Sequence, residues 1–284
     1  MKRNMSFNRN LTKTIIYVVC IFLAILSILP FWLMFVNATR STVQIQNGIS
    51  LFPSTHLFAN WKAIGSKASS GFNALIGLRN SLIISVGATA LAVYFSSLTA
   101  YALVAYDFRA KQAFFTFIMC VLMIPAQVSA IGFYRFIYQL HWMNNYLPLI
   151  LPAIATPAMV FFMRQYLVAS LSLEIVEASR IDGAGEFGTF NKIVLPIMVP
   201  AIATQAIFSF VGSWNNLFTP LILLTDQNMK TMPIMVSLLR GDIYKTEYGA
   251  VYLGLAITAL PLFIIYFLLS RYIIAGVALG GVKE

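Results

Sequence analysis

Residues 177–190 read EASRIDGAGEFGTF. Within them, Gly183-Ala184-Gly185-Glu186-Phe187-Gly188 formally matches GxGxxG, whose glycines let a backbone approach a pyrophosphate. Four of the nine acidic residues, Glu174, Glu177, Asp182 and Glu186, crowd around it. The dinucleotide pattern needs a strand before the glycines, a helix after them and an acid about 20 residues on. Ser172–Asp182 is helix-like instead, with Glu174 placed to complement a helix N-terminus. The following stretch runs through Leu195-Pro196 into an apolar run, and no acid occurs between Glu186 and Asp226. No GxxxxGK[ST] is present either. Nucleotide binding here is therefore not expected. His56 and His141 have no Cys, Asp or Glu at ligand spacing, so no metal site is expected. Cys20 and Cys120 lie in apolar runs and read as buried, inert thiols.

Two other readings of 177–190 stay open. One is a solvated linker, which suits its polarity and glycines. The other is a docking surface. Two short helical segments broken at Gly183 are marginal alone in water and call for a partner. Leu173, Ile175, Val176 and Ile181 point in several directions, which suits a protein groove better than a lipid surface.

The elements that must position this stretch follow from composition. Of 284 residues, 60% are hydrophobic and 10% charged. Soluble domains have about 45–50% apolar and about 25% charged residues. The net charge of +10 does not point to nucleic acid, because no basic cluster interleaves with aromatics. It suits a protein facing anionic lipid headgroups.

A bilayer span needs about 20 mostly apolar residues. Long uncharged runs occur at 14–39, 41–61, 80–106, 112–134, 136–163, 193–225 and 248–270. The run 41–61 is polar, with two Gln, two Asn and a Pro, and is rejected. The six others have cores at about 14–36, 81–106, 112–134, 146–163, 197–223 and 249–270, read as spans. Backbone satisfaction in lipid and the absence of alternation make them helices. The first run is too long for a signal-peptide core and lacks an A-x-A site. Lys2, Arg3, Arg9 and Lys13 precede it, which places the 1–13 tail in the cytoplasm. Six spans then return the C-terminus to that side. On this topology 14–284 is one all-α transmembrane domain, 164–196 is a cytoplasmic loop and 225–248 an external one.

Glu177-Ala178-Ser179, then three residues, Gly183, then nine residues and Ile193-Val194-Leu195-Pro196 resembles the EAA loop, EAA-x3-G-x9-I-x-LP. That loop marks the permease subunits of binding-protein-dependent ABC importers. Ser179 replaces the usual second Ala. Arg180-Ile181-Asp182-Gly183-Ala184 is similar to the sugar-importer version. So are Ala100-Tyr101-Ala102 to Arg109, Ile124-Pro125, Gln127-Val128, Asn145-Tyr146, Ile150-Leu151-Pro152 and Met163-Arg164-Gln165. Trp214-Asn215-Asn216, Thr231-Met232-Pro233 and Arg271-Tyr272 to Gly280-Gly281-Val282-Lys283 also fit. The likeness covers about 80–284 and is strongest to the smaller permease of the maltose-type carbohydrate importers.

The resemblance implies a type I ABC importer permease in a bacterial or archaeal plasma (inner) membrane. It implies a sugar, specifically an oligosaccharide, as cargo. ATP-Mg would be bound by a separate cytoplasmic ATPase dimer, and this chain would hold no cofactor. It also implies a second, homologous permease as heterodimer partner and an external sugar-binding protein. Glu177, Ala178, Ser179, Arg180, Asp182 and Gly183 would dock the ATPase. An i,i+3 pair of Glu177 with Arg180 is the bland alternative for that acid. Arg240, Gly241 and Asp242 would meet the binding protein, or belong to an ordinary solvated loop. Gln127, Ser129, Gln205 and Ser209 lie at membrane depth, where they would line a sugar path or bond neighbouring helices.

An ion-coupled secondary carrier is the alternative function. The six spans contain no ionisable residue of the kind such carriers use. A membrane-embedded enzyme would need a nucleophile, base or metal cluster, and the dense acid cluster at 174–186 has no His or Cys beside it.

Overall fold

The structure is a computed structural model and describes residues 2–66, 72–239 and 246–280. Among these, helices account for the regular structure, in chain order α1 (Lys2–Ala38), α2 (Thr42–Gln46), α3 (Leu57–Ser66), α4 (Ala74–Ala105), α5 (Lys111–Leu122), α6 (Ala126–Gln139), α7 (Leu147–Ile150) and α8 (Pro157–Ser170). There follow α9 (Leu173–Ile181), α10 (Glu186–Thr189), α11 (Leu195–Ile197), α12 (Val199–Trp214), α13 (Phe218–Leu223), α14 (Met232–Leu238) and α15 (Tyr248–Gly280). A short 3-10 turn joins α7 to α8, and a π-helical turn, Phe190–Val194, joins α10 to α11.

Four helical stretches among the described residues are long and apolar enough to cross a bilayer: Thr12–Ala38, Ala74–Ala105, Leu147–Ser170 and Tyr248–Tyr272. Glu186–Ile197 and Val199–Trp214 make a fifth only if taken as one span bent by 80°. The run read at 112–134 is divided. Its first helix stops at Leu122, and α6 begins after Pro125. Proline lacks the N–H that an unbroken helix needs there and disfavours helical geometry at Ile124. The run read at 197–223 is interrupted at Asn215–Leu217, between α12 and α13. In 41–61 the described helices are short, α2 of 5 residues and the start of α3.

The cysteines differ from expectation. Cys20 and Cys120 are both exposed on the chain. An apolar run in a membrane helix turns its side chains outward as readily as inward, so apolar surroundings in sequence do not imply burial against protein.

The chain forms two compact units, Met1–Phe72 with Val236–Ala259, and Asn73–Met235 with Leu260–Glu284. In the first, a cap folds over the end of α1. Buried Arg40 donates to Asn37 Oδ1 at 3.0 Å, to the Gly48 carbonyl at 3.0 Å and to the Gln44 carbonyl. Asn60 Nδ2 donates to the Ala38 and Arg40 carbonyls at 2.8 and 3.0 Å. The start of α15 joins this cap through Tyr248 N–H on Thr42 Oγ1 at 3.0 Å.

In the second unit α4 is the central post. It packs on α8 through Ala92, Ala100, Tyr101, Met159, Met163 and Leu167, all buried, and also on α12. Small residues on α4 allow the close approach. A Cβ on Gly77 would meet Met232 and Met235 at 3.0–3.2 Å. Asn80, fully buried, donates to the Asn228 and Lys230 carbonyls at 2.8 and 3.0 Å and so ties the 225–231 loop to the start of α4. Asn144 Oδ1 accepts from the N–H groups of Thr225 and Asp226 at 2.7 and 2.9 Å.

Candidate functional site

The 173–197 segment lies at the other end of α4. Ser172 precedes α9, and Glu174 sits in its first turn where the helix dipole favours an anion. The helix ends at Gly183, whose φ is +80°. Two bonds close that end: Gly183 N–H to the Arg180 carbonyl at 3.0 Å and Ala184 N–H to the Ser179 carbonyl at 3.0 Å. This pair is a Schellman motif, which wants a glycine at the left-handed position. No atom lies within 4 Å of a Cβ built on Gly183, so its backbone angle alone demands glycine. A helix, α9, precedes GAGEFG where the dinucleotide pattern needs a strand.

Burial sorts the residues of α9 by direction. Val176 and Ser179, one turn apart, are buried at 1% and 4% exposure. Ser179 Oγ pairs with Thr189 Oγ1 at 2.8 Å, bridging α9 to α10. Helical spacing of 3.6 residues then sends Glu174, Glu177, Ala178 and Ile181 to the outward side, and all four are exposed. Beyond the turn, Phe187 is exposed too. Asp182 and Gly183 stand exposed at the turn itself. Of the six residues singled out for docking, Glu177, Ala178, Asp182 and Gly183 thus share the exposed side. Ser179 is turned inward, where its hydroxyl holds the loop together.

Arg180 lies between the two sides and is occupied. Its Nε donates to Glu186 Oε1 at 3.0 Å and its Nη2 to Glu186 Oε2 at 3.4 Å. The acid that pairs with Arg180 is therefore Glu186, across the turn, rather than Glu177 one turn back. Tyr106, at the end of α4, donates its hydroxyl to Glu186 Oε2. The Arg180 guanidinium also stands 5.2 Å from the Tyr106 ring centroid. Held first by the Tyr106 hydroxyl and then by Arg180, the Glu186 carboxyl titrates below its ordinary value.

The loop is also anchored through apolar contacts. Phe190 and Val194 are buried at 1% and 0% exposure in the same cluster as Ala100, Tyr101 and Leu167. The Phe190 ring sits 5.7 Å from both Tyr94 and Tyr101. Phe190 and Val194 bracket the π-helical turn, a feature that often marks functional sites.

Arg240, Gly241 and Asp242 lie outside the described residues, as does the side chain of Gln127. Gln205 and Ser209 share one face of α12 and are half-buried; Ser129, on α6, is exposed. An open cavity of about 360 Å³ lies between α6 and α13, lined by Ala130, Ile131, Tyr134, Phe218 and Ile222. Its walls are apolar, and Ser129, Gln205 and Ser209 do not line it.

A profile of the family described as "Binding-protein-dependent transport system inner membrane component" matches residues 92–278, and so contains the whole of this loop and its anchor on α4. The chain belongs to that family. One relative of this permease is the arabinooligosaccharides transport system permease protein of Halalkalibacterium halodurans. It is 37% identical over 265 residues, covering 92% of this chain and 93% of the relative. The lactose transport system permease protein of Rhizobium radiobacter is 31% identical, over 98% of this chain and 99% of its own. Among solved structures, a bacterial ABC transporter involved in importing the acidic polysaccharide alginate superposes with a TM-score of 0.77. Its identity is 18%, over 93% of this chain and 96% of that one, so it shows the fold. These relatives are transport permeases and not enzymes. The sugar-permease resemblance carried by the EAA pattern is thereby shown.

Sequence reasoning missed Tyr106. It closes an apolar run, and nothing in spacing links it to an acid 80 positions later. Glu186 stood in the acidic cluster, and its distance from Arg180, six residues across a glycine turn, was the available signal.

Proposed function

We propose that this permease is one of two homologous membrane subunits that together form the translocation path of an ATP-driven oligosaccharide importer. Its α9–α10 loop docks on a cytoplasmic ATPase dimer, which binds ATP-Mg. A sugar-binding protein outside the membrane delivers the cargo, and the loop around Arg240, Gly241 and Asp242 meets it. Support comes from one observation above the others. The loop is fixed to α4 and α8 on its buried side while Glu174, Glu177, Ala178, Ile181 and Phe187 are exposed on its outward side. Exposed apolar residues rimmed by acids on a rigid loop fit a protein groove with a basic group in it. Glu177 fixes register there, and Ala178 permits close approach.

The relative named for arabinooligosaccharides makes a pentose oligosaccharide the first candidate in a sugar panel. The test uses the complex purified with its companion subunits. Glu177→Lys reverses the charge on the docking face, and Gly183→Pro removes the N–H of the Schellman turn. Both variants should insert normally, yet lose uptake and ATPase co-purification. Wild-type uptake with full ATPase retention in both variants would sink the reading.

A further inference from the structure

The contacts that hold the loop to α4 are as specific as those that would dock a partner. They come in two layers. The inner layer is apolar: Phe190 is held against Tyr94 and Tyr101, and Val176 and Val194 enter the same buried cluster. The outer layer is polar: Tyr106 from α4, Arg180 from the end of α9 and Glu186 from the start of α10 meet at one carboxylate. Tyr106 is itself held in place. Its ring packs edge-on to Tyr101 at 5.7 Å, and Lys111 Nζ donates to its carbonyl at 2.9 Å.

Each of the three polar residues sits on a different piece. Tyr106 ends the central post, Arg180 ends the helix that carries Glu177, and Glu186 opens the return segment. Glu186 accepts from both of the others and so joins their two hydrogen bonds at one carboxylate. A push on α9 reaches Arg180 and passes through Glu186 to Tyr106. Without the carboxylate, α9 and α4 keep the apolar layer and the placement of Arg180 over the Tyr106 ring; the apolar layer resists separation but allows sliding, since such contacts are non-directional. Hydrogen bonds to an ionised group fix direction as well as distance.

We propose that Tyr106, Arg180 and Glu186 form a latch that makes the α9–α10 loop and the inner end of α4 move as one rigid body, so that displacement of the loop becomes displacement of the central helix. The three act as positioning residues and touch no cargo. The latch rests on the docking role proposed above.

The test measures the distance between spin labels at Asp107→Cys and Ala184→Cys, with Cys20 and Cys120 replaced. The complete complex is used in liposomes, nucleotide-free and then trapped with ATP and vanadate. A rigid latch keeps that distance constant between the two states to within about 2 Å, the scale of helix shifts at interfaces. Tyr106→Phe, which removes one hydroxyl and keeps the ring, should broaden the distribution and shift it on trapping. Glu186→Gln should do the same, although packing around the ring is untouched. A larger shift in the parent complex would overturn the latch. So would variants that match the parent in both states. Failure of the parent complex to trap nucleotide at all would overturn the importer reading and the latch with it.

Discussion

At the scale of single residues, the loop divides its side chains between holding and presenting. Ser179 and Arg180 hold; Glu177 and Ala178 present. That division could not be seen in the string EASRIDG, because all of these residues lie within one turn of helix and only the packing partner decides which way the helix faces. The carboxyl of Glu186 carries a pH signature. Its pKa is lowered in the folded chain, chiefly by the Tyr106 hydroxyl and then by Arg180. A lowered folded value means that the ionised form contributes stability above the unfolded value, and that this contribution disappears as pH falls through the folded one. Tyr106, Arg180 and the nearby Tyr101 are the groups that face it, and none of them changes charge in mildly acidic solution. Exchange protection of 173–190, corrected for intrinsic chemistry, should therefore hold from neutral pH down to about pH 5, close above the ordinary carboxyl range. Glu186→Gln should be less protected throughout. A loss of wild-type protection already near neutral pH would contradict the assignment.

At the scale of elements, hydropathy located the apolar material, and Pro125 marks one break in it while Pro30 lies within α1. α4 and α15 overlap their runs closely, since nothing inside 81–106 interrupts the helix and Pro261 is absorbed within α15. Counting uncharged residues reads 112–134 as a single span and takes no account of the backbone donor that Pro125 lacks, where the chain has α5 and α6 as separate helices. The cap after α1 was illegible. It depends on Arg40 and Asn60 reaching backbone carbonyls, and neither residue type signals that in sequence. The cap offers a sharp contrast between two glycines of the same unit. A Cβ on Gly249 would fall 2.5 Å from the Asn60 amide and against the Arg40 carbonyl, a backbone atom that cannot swing away. A Cβ on Gly254 would meet the Leu239 Cδ1 at 2.8 Å, the far end of a flexible side chain. Gly249→Ala should thus destabilise the chain by about 1–3 kcal/mol, the usual cost of overpacking. Gly254→Ala should cost less, because Leu239 can rotate. Thermal unfolding of the two variants in the same detergent ranks them, and equal losses would show that the cap tolerates displacement.

At the scale of the whole molecule, the chain exposes what a water-soluble protein hides. None of the apolar window of α1 is buried within the chain, and only a third of that of α4 is. Lipid and other protein must cover the rest, and the single chain likewise shows the loop's fixed side buried and the outward side of α9 exposed. The same bareness bears on the energy source. Ion-coupled carriers tend to place ionisable groups inside their spans, and in the four helical stretches able to cross a bilayer the Lys, Arg, Asp and Glu residues are Lys13, Arg79, Arg164 and Arg271, all in the outer parts of those stretches. A loop that receives force from an ATPase requires no such group, since the driving step occurs outside the membrane. The two energy sources separate cleanly in cells or vesicles loaded with ATP. Uptake of the sugar found by the panel should persist when a protonophore and a sodium ionophore collapse the ion gradients. It should stop when vanadate blocks the ATPase. Uptake that survives vanadate and dies with the gradients would mean that the outward face of α9 serves some other partner.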